Sequence, residues 1–158
     1  MATEVNSSKA LSRTAGRVIA VCSSQKKGTP KTDIGEGVLE VGFGLKGDAH
    51  GGDWHRQVSL LAIEQIETMK NKGFDVKPGS FAENICTEGF DLRSIVVGSR
   101  VRVGDTAILE VTQIGKECHT RCAIYNKIGE CIMPEQGVFA KVIEGGPVRS
   151  GDPIELIQ

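Results

Sequence analysis

Alternation of apolar and polar residues along the chain predicts a mostly β fold. Residues 17–22 (RVIAVC) are apolar and β-branched, and residues 38–41 (VLEV) predict a second short strand. Residues 100–103 and 107–111 alternate on either side of a Gly-Asp pair, a pattern typical of a β-hairpin. Further strands are predicted at residues 81–86 and 153–157.

One segment has the spacing of an amphipathic helix. Apolar residues recur at near-helical intervals from Leu60 to Met69, the pattern stops at Gly73, and Ser59 is expected to cap the N-terminus. Residues 138–144 predict a second, short helix. Short strands joined by turns, with a few helices, favour a partly closed β-barrel.

The chain has 158 residues, which is the size of one domain. Its first 15 residues are polar and aperiodic, so we expect a flexible arm there and a single domain over residues 16–158. Glycine is abundant, at 20 residues, and five glycines fall within residues 42–52. We expect that segment to be an irregular binding loop, because glycine lets backbone approach a ligand closely.

Net charge and cysteine content limit the classes of protein to which the chain could belong. The formal net charge of −1 argues against a general nucleic-acid binder, which needs clustered basic residues. No apolar run approaches the roughly 18 residues that span a bilayer, so no membrane partner is expected. The five cysteines are an odd number without a secretory signal, which predicts reduced thiols and a cytoplasmic protein.

Residues 116–122 (KECHTRC) are the strongest candidates for a chemically reactive site. Cys118 and Cys122 lie four residues apart, beside Lys116, His119 and Arg121. Cationic neighbours stabilise a thiolate, the form that attacks sulfur or binds a soft metal. The alternative is a small buried cysteine without chemistry.

A zinc site is a further alternative for the same segment. Cys118, His119, Cys122 and the more distant Cys131 could supply four ligands, although their spacing matches no familiar zinc motif. By contrast, Cys22 and Cys86 fall in apolar strands, and we expect them to be buried and less reactive.

Residues 46–56 (KGDAHGGDWHR) offer donors to an anionic ligand. The donors are glycine amides with Lys46, His50, His55 and Arg56, and Asp48 lies among them. The segment lacks the features of a nucleotide-binding P-loop. A glycine-rich connection with solvated charges is the alternative.

Acid–base chemistry has weaker support. Glu83 and Asn84 lie in the strand predicted at residues 81–86, which follows a turn. A buried Glu83 could act on a ligand, but a single glutamate is more often solvated or structurally paired.

Five strings of the chain, in their order and spacing, resemble the MOSC family, named for the C-terminal domain of molybdenum cofactor sulfurases. The resemblance extends over about residues 17–156. It is carried by residues 41–52 (VGFGLKGDAHGG), 56–61 (RQVSLL), 79–85 (GSFAENI), 97–105 (VGSRVRVGD) and 109–113 (LEVTQ).

This resemblance implies a mixed β-barrel and a characteristic cysteine after the LEVTQ strand that carries sulfur or ligates molybdenum. Counting forward from Gln113 selects Cys118, where Glu117 replaces the proline of many members. Comparison with members that carry Arg-Cys-Ile selects Cys122, which Arg121 precedes. We favour Cys122 slightly and keep both as catalytic and metal-binding candidates, the other being a resolving thiol.

The resemblance also implies a function: binding molybdenum cofactor (molybdopterin) and carrying or transferring sulfur or the cofactor through the reactive cysteine. The alternatives are a small molybdenum-dependent reductase of N-hydroxylated compounds and a structural zinc protein. A molybdoenzyme, a cofactor-biosynthesis protein or a sulfur donor would be the partner.

Larger members include a pyridoxal-phosphate desulfurase, but no pyridoxal phosphate site is legible in this chain. The expected cofactor-binding residues are Lys46, Asp48, His50, His55, Arg56, Glu83, Asn84, Lys116, His119 and Arg121.

Overall fold

The computed structural model describes residues 15–115 and 137–157. Eleven strands and one α-helix lie in these ranges, which confirms the mostly β fold. The strands are β1 (Ala15–Ser23), β2 (Thr32–Asp33), β3 (Glu36–Glu40), β4 (Gly44–Leu45), β5 (Val58–Ala62), β6 (Ile85–Glu88), β7 (Arg100–Val103), β8 (Ala107–Ile114), β9 (Val138–Glu144), β10 (Gly146–Arg149) and β11 (Pro153–Leu156); the helix is α1 (Ile63–Asn71), and a 3-10 turn spans Leu92–Ser94.

Seven strands form a closed mixed β-barrel. They follow the order β11, β7, β8, β9, β5, β6 and β1, and pairing of β1 with β11 closes the ring. Only β5 and β6 run parallel among these pairs, and α1 lies between them in the sequence, as a parallel crossover requires. The predicted hairpin is confirmed, because β7 and β8 pair from Arg100 with Glu110 to Val103 with Ala107.

A smaller antiparallel sheet is formed by β10, β3 and β4. Leu39 of β3, Leu45 of β4 and Val148 of β10 are buried and belong to the same apolar cluster as the barrel strands. The segment expected to be wholly irregular therefore contains one short strand, β4. This strand fixes the start of the segment that follows it, residues 46–56, against the barrel; we refer to that segment as the glycine-rich loop.

The core has two apolar clusters, and β1 contributes to both, because its side chains alternate between two faces and an irregularity between Val18 and Ala20 shifts that alternation by one residue. Val18 and Val21 of β1 pack in the cluster that fills the barrel. Ala20 and Cys22 of the same strand pack in a second cluster, which includes Ile66 and Met69 of α1. The helix is thus packed on the outside of the barrel.

Two local predictions are wrong. Ser59 does not cap the helix, since it lies inside β5 and Ala62 occupies the N-cap position. Residues 138–144 form strand β9, not a helix, and β9 lies between β8 and β5 in the barrel. The strand predicted at residues 81–86 begins only at Ile85. None of the described residues belongs to a helix long and apolar enough to cross a membrane.

Candidate functional site

A buried ion pair joins the loop after β1 to the glycine-rich loop. Nζ of Lys31 lies 2.8 Å from Oδ1 of Asp48, and neither side chain is exposed. Lys31 also donates to Oγ of Ser24 at 3.0 Å. The amide of Ser24 donates to the same Asp48 oxygen at 3.1 Å. The pair therefore fixes the two loops relative to each other.

His50 is held by the same cluster. Its amide donates to Oδ2 of Asp48 at 3.1 Å, and its carbonyl accepts from Nε1 of Trp54 at 2.8 Å. Its ring nitrogen Nδ1 lies 3.0 Å from Nζ of Lys31. Both the backbone and the ring of this half-buried histidine thus have defined positions.

The pKa of Asp48 reflects two opposing effects. Burial acts to raise it, but the hydrogen bond and charge of Lys31 outweigh burial, with help from Asn84 and the Ser24 amide. The pKa of Asp48 is therefore lower than its ordinary value. This carboxylate is ionised and directed at the protein's own donors.

Glu83 and Asn84 are buried beside this cluster. Oε2 of Glu83 accepts from the amide of Gly79 at 2.6 Å, and Oε1 accepts from the amide of Phe81 at 3.2 Å. Asn84 accepts from the Ser59 amide at 2.9 Å and donates to the Cys22 carbonyl at 3.1 Å. These side chains join β1, β5 and the start of β6.

Burial also raises the pKa of Glu83 to about 7. The amides of Gly79 and Phe81 and the charge of Lys31 oppose that effect without cancelling it. Ala82 next to it has a left-handed backbone with φ of 67°, an uncommon conformation outside glycine. Strained backbone and a shifted carboxyl pKa are features that often occur at functional sites.

Arg56 lies at the opposite end of the glycine-rich loop, close to two aromatic rings. Its guanidinium carbon is 4.7 Å from the Trp54 ring centroid and 5.5 Å from that of Phe139. Nζ of Lys27 is 5.1 Å from the Trp54 ring. Nε of Arg56 is buried and has no hydrogen-bond partner among the described residues. Such a cation is suited to an anionic ligand, because a buried unpaired donor is costly.

His55 connects this loop to the end of β8. Its Nε2 lies 2.9 Å from Oε1 of Gln113, and Thr112 Oγ1 donates to its carbonyl. Two residues beyond Gln113, the amide of Gly115 donates to the carbonyl of Gly137 at 2.7 Å. The end of β8 and the start of β9 are therefore adjacent, and they lie next to His55 and close to Arg56.

The structure brings together part of the predicted site. Asp48, His50, Glu83 and Asn84 form one buried or half-buried network, and His55 and Arg56 lie near the ends of β8 and β9. Lys46 is exposed, and its amide donates to the Val38 carbonyl at 2.9 Å. Six predicted residues lie outside the described ranges: Lys116, Cys118, His119, Arg121, Cys122 and Cys131.

Two cysteines of the described ranges are buried, as expected. Cys22 and Cys86 both have pKa values well above the ordinary thiol value, chiefly because of burial and secondly because of the charge of Glu83. Raised pKa values suppress the reactive thiolate. Residues 15–115 and 137–157 also contain no group of three His, Cys, Asp or Glu side chains arranged to hold a metal.

Sequence reasoning missed Lys31, the central cation of the network. It lies in a polar segment directly after Pro30, and nothing in the local pattern signals burial. Its partners lie 7, 17 and 19 residues away along the chain.

Gly79 is predicted to be essential to the position of Lys31. Its φ is 93°, and a Cβ atom there would overlap the Lys31 carbonyl oxygen. Gly73 is a matched control, because its φ of 99° is also left-handed but its Cβ would meet open space. We expect Gly73→Ala to cost about 1 kcal/mol and Gly79→Ala roughly 2 kcal/mol or more in the free energy of unfolding by urea denaturation. Equal losses would contradict this account of Gly79.

Comparisons with known proteins agree with the fold. The YuaD protein from Bacillus subtilis superposes with a TM-score of 0.72 at 20% identity, over 90% of this chain and 95% of that chain. YiiM from Escherichia coli has a TM-score of 0.63 at 21% identity, over 90% of this chain and 70% of its own. YiiM from Geobacillus stearothermophilus has a TM-score of 0.61 at 16% identity, over 90% and 73%.

Sequence comparison identifies the family. No curated protein gives a significant match to the chain. The family model for the MOSC domain matches residues 46–155, which is more than half of the sequence and includes the glycine-rich loop, Glu83 and the hairpin of β7 and β8. This protein therefore belongs to the MOSC domain family.

Proposed function

We propose that this protein binds the molybdenum cofactor and carries or transfers sulfur, or the cofactor itself, through Cys118 or Cys122. Membership of a family associated with that cofactor supports the proposal. One structural observation carries it further. The hydrogen bond between Gly115 and Gly137 joins both ends of the cysteine-bearing segment beside His55 and near the Arg56 guanidinium.

The donors on the described residues fit the cofactor's phosphorylated pterin. The phosphate is anionic, and the buried Nε of Arg56 needs an acceptor. The guanidinium lies over the rings of Trp54 and Phe139, and these contacts restrict its orientation, so less conformational entropy is lost on binding. Lys46 and His55 add further exposed donors along the same loop.

The cysteines would supply the sulfur chemistry. A thiolate at position 118 or 122 is a soft ligand for molybdenum and a nucleophile toward sulfur donors. Lys116, His119 and Arg121 are cationic or titratable neighbours that favour the thiolate. The buried thiols of Cys22 and Cys86 are unsuited to this role, since their pKa values are raised.

We propose two different roles for the predicted cofactor-binding residues. Arg56, His55, His50 and Lys46 contact the cofactor, because each has donors on a loop surface. Asp48, Glu83 and Asn84 hold the loops in place, because their polar atoms already bond to backbone or to Lys31.

Cofactor binding to variants tests the proposal. We expect Arg56→Gln to weaken binding of isolated molybdopterin cofactor by about ten- to a hundredfold, since a charge-assisted hydrogen bond contributes roughly 1.5–3 kcal/mol. Lys70→Met is the control, because it removes an exposed cation on α1, which is not part of the loop. Fluorescence titration of the pterin gives the affinities.

Three results would overturn the proposed function: no binding to the wild type, equal affinity in Arg56→Gln and Lys70→Met, or purification of the protein with stoichiometric zinc in place of molybdenum. The zinc result would instead support a structural metal site.

A further inference from the structure

His50 belongs to the half-buried part of the glycine-rich loop and is fixed at three points. Its amide bonds to Asp48, its carbonyl accepts from Trp54, and its Nδ1 faces Lys31 at 3.0 Å. Lys31 was not among the residues that the sequence pattern selects. Its side chain is completely buried, which is rare for lysine unless the charge has a defined partner.

The chemistry of Lys31 defines the state of the histidine ring. Nζ of Lys31 is 2.8 Å from an ionised carboxylate, so the group is an ammonium that donates and cannot accept. Its three hydrogens match its three neighbours: Ser24 Oγ, Asp48 Oδ1 and His50 Nδ1. Nδ1 of His50 must therefore be the acceptor, and a neutral ring then carries its hydrogen on Nε2.

We propose that Lys31 is a positioning residue that fixes His50 in the tautomer with the hydrogen on Nε2. The arrangement resembles the way in which outer groups orient metal-binding histidines, except that the outer group here is a cation and the ring nitrogen accepts. Ring orientation and tautomer are then both set before any ligand arrives.

The tautomer determines which chemical groups His50 can bind. In this tautomer the ring donates through Nε2, and Nδ1 accepts from Lys31. In this last step the inference rests on the proposed function: Nε2 would donate to an oxygen atom of the molybdenum cofactor. The group recognised would be an oxygen acceptor, and the histidine would not ligate a metal through Nδ1.

Nitrogen-15 spectra of the histidine rings test the tautomer directly. Only three histidines are present in the sequence, so His50→Gln identifies the signals of His50. At about pH 8, where an ordinary histidine is neutral, we expect one protonated Nε2 signal and one unprotonated Nδ1 signal, well separated. Protonated Nδ1, or two signals averaged together, would overturn the proposal.

Two substitutions separate the donor effect from a general loosening of the loop. Lys31→Met removes the donor, and we expect the two ring signals to move toward each other as both tautomers become populated. Asp48→Asn weakens the ion pair but leaves the lysine in place, and the wild-type pattern should persist. An unchanged pattern in folded Lys31→Met would contradict the proposal. If that variant does not fold, the wild-type spectrum still decides the tautomer.

Binding of isolated molybdopterin cofactor tests the ligand step. We expect His50→Gln and Lys31→Met each to weaken binding by about five- to tenfold, the effect of one hydrogen bond. The double variant should lose no more than either alone, because both act through the same bond. Additive losses would contradict a positioning role. Failure of the wild type to bind would refute the proposed function and leave the tautomer result intact.

Discussion

Lys31→Met is expected to lower the free energy of unfolding by about 3–5 kcal/mol, the usual cost of removing one partner from a buried ion pair. The reason is the carboxylate that remains. Asp48 is completely buried and ionised, and without Lys31 its charge keeps only neutral donors among the described residues: the amides of Ser24 and His50 and the side chain of Asn84. Ser24 Oγ and His50 Nδ1 also lose their donor. Urea denaturation monitored by Trp54 fluorescence measures the change.

Two further variants test that explanation. Lys70→Met makes the same replacement at an exposed position of α1 and should change stability by less than about 0.5 kcal/mol. Lys31→Met combined with Asp48→Asn should recover part of the loss, because no buried charge is left without its counterion. A loss below about 1 kcal/mol in the single variant would show that the pair contributes little to the fold.

The second large effect is a pH dependence that originates at Glu83. Its pKa is raised from 4.5 to about 7 in the folded chain, so the folded protein retains a proton that the unfolded chain has released over that interval. Because the folded state binds more protons there, the free energy of unfolding falls as pH rises. The shift corresponds to a loss of roughly 3 kcal/mol between about pH 4.5 and pH 7.

Glu83→Gln isolates this effect, because glutamine has nearly the same shape and does not titrate. We expect the variant to lose most of the decline in stability between pH 4.5 and 7, while Glu67→Gln, an exposed change on α1, retains it. Asp48 does not interfere in this interval. Its pKa lies below the ordinary value of 3.8, so the stability that it contributes is lost only at lower pH. Parallel pH profiles for the wild type and Glu83→Gln would contradict the account of Glu83.

Much of the barrel could be predicted from local patterns. The hairpin of β7 and β8 has alternating residues and a Gly-Asp turn, so its elements and its register both follow from adjacent sequence. The strand β1 was predicted because its residues are β-branched and apolar. Closure of the ring by β1 and β11 joins the two ends of the described chain and has no local signature.

The two errors have a common physical cause. Strand β5 is buried on both faces between β9 and β6, so four of the five residues in its sequence VSLLA are apolar, the exception being the buried Ser59, and the strand runs directly into α1. A short run of this kind has no period that separates strand from helix. Strand β9, between β8 and β5, presents the same problem, and its apolar spacing imitates one helical turn.

The types of residue in the site could be predicted from the sequence, but their contacts with one another could not. Glycine amides, histidines and Arg56 were selected because such groups bind anions, and Glu83 was selected as a candidate acid; the family resemblance then placed Glu83 and Asn84 among the cofactor-binding residues. The sequence does not disclose that Asp48 faces Lys31, since that contact depends on the tertiary approach of two loops. The separation of ligand-facing groups from supporting groups therefore required the structure.

X-ray absorption at the molybdenum edge, on protein loaded with cofactor, tests whether Cys118 or Cys122 ligates molybdenum. We expect one Mo–S bond in the wild type beyond those of the cofactor's own dithiolene. That bond should be lost in only one of the variants Cys118→Ala and Cys122→Ala, and it should persist in the control Cys22→Ala, where the thiol is buried. Cofactor that binds with the same number of sulfur ligands in the wild type and in both single variants would contradict the claim that one of these cysteines ligates molybdenum.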